Sequence, residues 1–198
     1  MAVAALLLAA SGCVPTHANV VFDGQSYNLA PSPEVSYPAQ VMASSDDTWS
    51  VVALADTSWT VLATTADERT RPSGGFDVLV MSGGFTDLAR EYDTAEQVLA
   101  DELAYAKAAR ARGFDAVIVL TIPPSTVLYD RLGQEAQRVE HNRLLLVEST
   151  GFDAVVNIEV PCIDDPLSGC YFDGTHYTEL GAGIVAELVA PVVEAIIP

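Results

Sequence analysis

Five short apolar runs punctuate the chain: Asn19–Asp23, Trp49–Leu54, Phe76–Ser82, Asp115–Ile122 and Asp153–Ile158. Val, Ile and Phe dominate them with little polar alternation, the pattern of strands covered on both faces in a parallel sheet. Between these runs the apolar spacing becomes helical. From Thr94 to Arg112, the residues Ala95, Val98, Leu99, Leu103 and Ala106 form one stripe. Thr94 and Gln97 make a capping box at its start, and Gly113 supplies its stop. Leu132–Thr150 reads as a second helix ended by Gly151. A last helix begins near Thr178 and carries Leu180, Ile184, Leu188 and Val192 on one side. Pro191 should kink it or end it early, since proline lacks the N–H the ladder needs. Strand and helix therefore alternate, and the economical architecture is an α/β fold, a doubly wound sandwich built on a parallel sheet.

Ligands bind such sheets beyond the carboxyl ends of the strands. Ser26, Asp56, Gly83–Asp87 and Pro123–Pro124 all fall just past predicted strand ends. The first of these lies in "VVFDGQSYNL", where a strand breaks into a Gly-Gln-Ser turn. Near the other end, "FDGTHYTEL" places Asp173 three residues before His176. At that spacing a carboxylate accepts from one imidazole nitrogen, which fixes the tautomer and leaves the other nitrogen as a base. Such a base needs a hydroxyl to deprotonate, and Ser26 is the natural candidate.

Charge narrows the partners. The 198 residues carry 27 Asp+Glu against 9 Lys+Arg, a net charge of −18. That balance excludes nucleic acid, because nothing in the chain replaces counterions along a phosphate backbone. The first 18 residues form a separate segment. Its apolar run in "MAVAALLLAASGC" is too short to span a bilayer, and the small residues after it suit a secretory signal. The "ASGC" ending at Cys13 is similar to the lipidation box of bacterial lipoproteins, although no Lys or Arg precedes the run. A cleaved or lipid-anchored leader and a retained helix buried against a partner both remain open. Cys162 and Cys170 bracket a Pro-, Gly- and Ser-rich loop whose closure as a disulfide implies an oxidising compartment; the alternative is free thiols in a reducing one. No His stands at ligand spacing from either cysteine, so zinc is not expected.

Four blocks of this sequence, spread from Asn19 to the C-terminal helix, resemble the SGNH (GDSL-like) hydrolase superfamily: "DGQSYNL", "ALADTSW", "SGGFTDL" and "DGTHYTELG". Gln25 before the serine is similar to a Gly-Gln-Ser variant found among carbohydrate acetylesterases. The resemblance implies a flavodoxin-like three-layer α/β/α sandwich with five parallel strands over residues 19–198. It implies a serine esterase with Ser26 as nucleophile, His176 as base and Asp173 orienting it. The oxyanion would be held by the amides of Ser26 and Asp56 and by Thr86. Asp56 stands where the family has glycine and Thr86 where it has asparagine. Gln25, Tyr27, Gly84 and Tyr177 flank this set as candidate substrate contacts. No metal or organic cofactor is required. The expected substrate is a small acyl ester, above all O-acetyl on carbohydrate, in an extracytoplasmic setting. The alternatives are a lipase or thioesterase on the same fold, and a catalytically degenerate carbohydrate-binding, envelope or virion domain. His141 reads as a surface or helix-packing residue, His17 as solvated, and Trp59 as core.

Overall fold

The computed structural model describes residues 17–147 and 149–198, and all five predicted strands are present in it: β1 (Ala18–Gly24), β2 (Thr48–Ala53), β3 (Phe76–Ser82), β4 (Ala116–Leu120) and β5 (Ala154–Val156). They pair in parallel in the order β2-β1-β3-β4-β5. Val20 lies opposite Trp49 on one side and Val78 on the other; Val78 meets Ala116, and Ile118 meets Ala154. Side chains alternate across this ladder with period two. Val20, Phe22, Val78, Val80, Ile118 and Leu120 therefore face one layer, and Val21, Leu79, Met81, Val117 and Val119 face the other.

Helices cover both faces. On the first lie α1 (Tyr37–Val41) and α7 (Glu179–Ile196). On the second lie α2 (Trp59–Thr64), α3 (Ala66–Arg69), α4 (Ala95–Arg112) and α6 (Gln134–Val147). One further short helix, α5 (Thr126–Tyr129), follows β4. The result is the expected three-layer α/β/α sandwich. At the head of α4, Thr94 Oγ1 accepts from the Gln97 amide (3.4 Å) and Gln97 Oε1 accepts from the Thr94 amide (2.8 Å), the capping box read from sequence.

Three elements depart from the sequence pattern. β2 is an edge strand, and Trp49 at its start is exposed rather than covered on both faces. The run Leu132–Thr150 starts later, at Gln134, and ends in a separate 3-10 turn, Ser149–Gly151. α7 runs through Pro191 to Ile196 without stopping. Pro191 is exposed there, so the hydrogen bond it cannot make falls on the solvent side, where the freed carbonyl is open to water. The face α7 buries is Ala182, Val185, Ala186, Val189 and Val193, one position on from the predicted stripe, and Leu180 is exposed.

Cys162 and Cys170 are joined in a disulfide, with their Cα atoms 5.8 Å apart. Closing so short a loop is worth roughly 2–3 kcal/mol in the chain-entropy model. Cys170 is fully buried, and its carbonyl accepts from the Thr178 amide (2.8 Å) at the start of α7. The bridge therefore ties the segment before Asp173 to the core. Reduction, or Cys162→Ser, is expected to lower Tm by several degrees; an unchanged Tm in differential scanning calorimetry would show that the packed loop holds itself. Cys13 lies outside the described residues. Among those described, no helix is long and apolar enough to cross a membrane.

Candidate active site

β1 ends at a point where only glycine passes. A Cβ on Gly24 would lie 1.8 Å from the Ser82 carbonyl oxygen, so this close approach of two strand ends forbids any side chain. Gln25 N–H donates to the same oxygen (3.1 Å), and the chain then enters a 3-10 turn, Ser26–Leu29. Asn28 pins that turn from below: its buried Oδ1 accepts from the hydroxyls of Tyr37 (3.1 Å) and Ser82. Ser26 is left half-buried at the rim of the sheet.

A short turn near the C-terminus supplies the remaining groups. Tyr171 and Tyr177 pair antiparallel at its base. Within it Asp173 Oδ1 accepts from the amides of Thr175 (2.9 Å) and His176 (2.7 Å), an Asx turn that fixes the carboxylate. Asp173 Oδ2 lies 2.7 Å from His176 Nδ1, and His176 Nε2 lies 2.8 Å from Ser26 Oγ, across 150 residues of sequence. With Asp173 ionised, Nδ1 carries the ring proton and Nε2 accepts from the serine hydroxyl. Partial burial pushes the Asp173 carboxyl up, but bonds from the His176 amide and ring and from the Thr175 amide outweigh it and hold the group below its ordinary range. The exposed ring of Phe172, absent from the sequence-derived set, stacks on the imidazole at 5.7 Å between centroids.

Over His176 opens a cleft of about 400 Å³, with Asp56, Phe85, Arg90, Val127 and Arg131 among its walls. Asp56 sits at φ 59°, the left-handed region that glycine enters without cost. Its carboxylate is 2.5 Å from Arg90 Nη2. The Asp56 charge is therefore paired with a guanidinium. Gly84 also has positive φ (88°), and a Cβ on it would meet Ile122 at 2.5 Å. Thr86, two residues on, is buried, and among the described residues its hydroxyl has no hydrogen-bond partner.

All four expected substrate contacts, Gln25, Tyr27, Gly84 and Tyr177, are buried. Tyr27 and Tyr177 are buried with their rings packed edge to face at 6.2 Å. Gln25 is buried, and its Nε2 donates to the Thr57 carbonyl (2.7 Å), joining the first block to the second. Gly84 is buried, against Ile122 and Val98.

Behind the third block lies a buried polar chain. Asp87 Oδ1 accepts from the Trp59 amide (2.9 Å), and the Trp59 indole donates to Glu102 Oε1 (3.1 Å). Glu102 Oε2 lies 2.8 Å from His141 Nε2, and Asn142 beside it bonds both the amide and the carbonyl of Ile122. His141 is thus a fully buried packing residue coupled to the third block, not one remote from it. Burial alone would lower its pKa; the adjacent Glu102 carboxylate outweighs that and raises it. Burial, opposed by the Trp59 amide, pushes the Asp87 carboxyl up to about 7.

The fold is a five-stranded parallel α/β/α sandwich, shared with solved G-D-S-L lipolytic proteins and acetyl xylan esterases. Solved structures share it closely. A member of the lipolytic G-D-S-L family from Veillonella parvula superposes with a TM-score of 0.73, at 14% identity over 90% of this chain and 100% of that one. An acetylxylan esterase from Geobacillus stearothermophilus gives 0.66 at 14% identity, over 90% of this chain and 94% of its own. Another acetyl xylan esterase gives 0.70 at 13% identity, over 88% and 99%. No protein-family model matches the sequence, and no curated protein matches it either.

Proposed function

We propose that the protein is a serine esterase that removes small acyl groups, chiefly acetyl, from carbohydrate. The observation that carries this reading is the unbroken hydrogen-bonded line from Ser26 Oγ through His176 to Asp173 at the mouth of an open cleft. Two acetylxylan esterases among the structural neighbours support the acyl and alcohol classes.

In this mechanism Ser26 Oγ attacks the ester carbonyl as its proton passes to His176 Nε2. The carbonyl oxygen gains the negative charge and is met by the amides of Ser26 and Asp56 and the hydroxyl of Thr86. Collapse expels the alcohol, which takes the proton from His176. Water, deprotonated by the same nitrogen, then releases the acid and restores Ser26. Asp173 keeps Nδ1 protonated and the ring aligned throughout. The disulfide and the acetylesterase-like fold agree with work outside the cytoplasm, and lipid anchoring through Cys13 belongs to the same proposal.

Two assays test it. A fluorophosphonate probe should label Ser26 stoichiometrically, and 4-nitrophenyl acetate should turn over faster than longer acyl esters. Preference for long chains would point to a lipase or thioesterase. Absence of both labelling and turnover would leave a binding module.

The oxyanion assignment has its own expected result. A threonine hydroxyl is shorter than the asparagine amide of the family pattern. Thr86→Asn should therefore hold or raise kcat, and Thr86→Val should lower it by about tenfold or more, toward the range for losing one donor. Equal rates for Thr86→Val and the parent would reduce Thr86 to a packing residue.

A further inference from the structure

The geometry points to an anion-recognising subsite at Arg131, on the leaving-alcohol side of the cleft, so that the preferred ester is one whose alcohol carries a carboxylate or phosphate. This deepens the esterase reading and rests on it.

Cations are scarce in this chain, nine Lys+Arg against 27 acids, yet Arg90 and Arg131 both line one cleft. Their partners differ. Arg90 is neutralised by Asp56, and the cleft's other carboxylate, Asp173, is engaged by His176. Arg131 has no carboxylate partner among the described residues. Its Nη1 donates instead to the neutral hydroxyl of Tyr92 (2.7 Å), and its guanidinium lies over the Tyr92 ring at 5.4 Å. Tyr92 pays for that position with a left-handed backbone, φ 58°. A guanidinium held by a ring face and one phenol keeps several N–H donors free for a planar or tetrahedral oxyanion.

Its placement follows from the catalytic turn. Thr126 N–H donates to the Gly174 carbonyl (3.0 Å), and Ser125 Oγ lies 2.6 Å from Thr175 Oγ1. These bonds lock the segment carrying Arg131 to the loop carrying Asp173 and His176. The oxyanion-binding amides approach the acyl oxygen from the Asp56 side, whereas His176 must reach the departing alcohol. Arg131 lines the same cleft as His176 and Thr175, and on this proposal it meets that alcohol. The net charge of −18 repels anions at long range, but at physiological salt the field is screened beyond about 8 Å. A local charge-assisted bond then decides, worth roughly 10- to 100-fold in affinity.

The test uses one acyl group on three alcohols: an O-acetylated neutral pyranoside, the matching uronate and the matching sugar phosphate, with 4-nitrophenyl acetate as the reference ester. The parent should favour at least one anionic sugar by about tenfold or more in kcat/KM, expressed in KM and weakening as salt rises. Which anion wins separates carboxylate from phosphate. Arg131→Gln should cost the anionic ester about tenfold more than the neutral one, and Arg131→Lys should recover part of that preference. Equal kcat/KM for all three sugar esters, or the same selectivity in Arg131→Gln, would overturn the subsite. Failure of the parent on every ester, 4-nitrophenyl acetate included, would instead refute the esterase reading.

Discussion

Replacing Ser26 by alanine is expected to remove turnover of 4-nitrophenyl acetate, with kcat falling about 10,000-fold or more, while Tm and circular dichroism stay at the parent's values. Ser26 Oγ makes one side-chain bond, to His176 Nε2, and the turn that carries it is held by other groups: the Gln25 amide, Asn28 and the Ser82 carbonyl. On the proposed mechanism, deleting the hydroxyl removes the nucleophile and leaves the scaffold. Groups that act as a unit are non-additive, so His176→Ala added to Ser26→Ala should cost little more than the first change alone. Phosphonate labelling should vanish in parallel. Turnover retained in Ser26→Ala would end the assignment, because among the described residues no other hydroxyl bonds His176.

The second large effect is expected from Asp173→Asn: a loss of about 100- to 10,000-fold in kcat with KM little changed. The asparagine Oδ1 can still accept from Thr175 and His176 amides, so the turn survives. Its amide N–H2 would then face His176 Nδ1 and make that atom an acceptor. The ring proton moves to Nε2, which can no longer take a proton from Ser26. Asp173 is partly exposed, so water weakens the effect relative to a buried carboxylate, which sets the lower bound. A second readout follows from its depressed pKa. A carboxyl held below its unfolded value contributes stability that is present above pH about 4 and lost as pH falls through the folded value. The variant should therefore melt below the parent at neutral pH and converge with it in acid. A variant with full kcat would show that His176 is oriented by its own backbone and by Phe172.

Local signals in the sequence determined a good deal. Continuous Val- and Ile-rich runs specify buried strands because both faces of a central parallel strand are covered. Thr94, Gln97 and Gly113 specify the ends of α4 because capping is satisfied within a few residues. Asp173 and His176 were legible as a pair because three residues of separation bring them into one turn. Ser26 could be joined to them because a histidine base needs a hydroxyl and the Gly-Gln-Ser turn at a strand end offers one.

Tertiary structure decided the rest. No local pattern marks Asp23 as buried under the Arg69 guanidinium and Tyr105 hydroxyl, or Glu102 as the partner of both Trp59 and His141. Each reads as an ordinary charged residue until folding removes water and supplies its partner from another element. Tyr27 and Tyr177 looked like ligand contacts because they neighbour Ser26 and His176 in sequence; the packing between α7 and the sheet turned both rings inward. Asp56 looked ill-suited to its position until Arg90 arrived beside it. Arg131 carried no motif at all, and its place in the cleft follows from the bonds that tie residues 125 and 126 to the turn at 174 and 175. A sequence specifies which groups are present and how the chain near them bends. Which of them share a dry or a charged environment is set by contacts between distant segments, and the energy of those contacts exists only once the sheet is assembled.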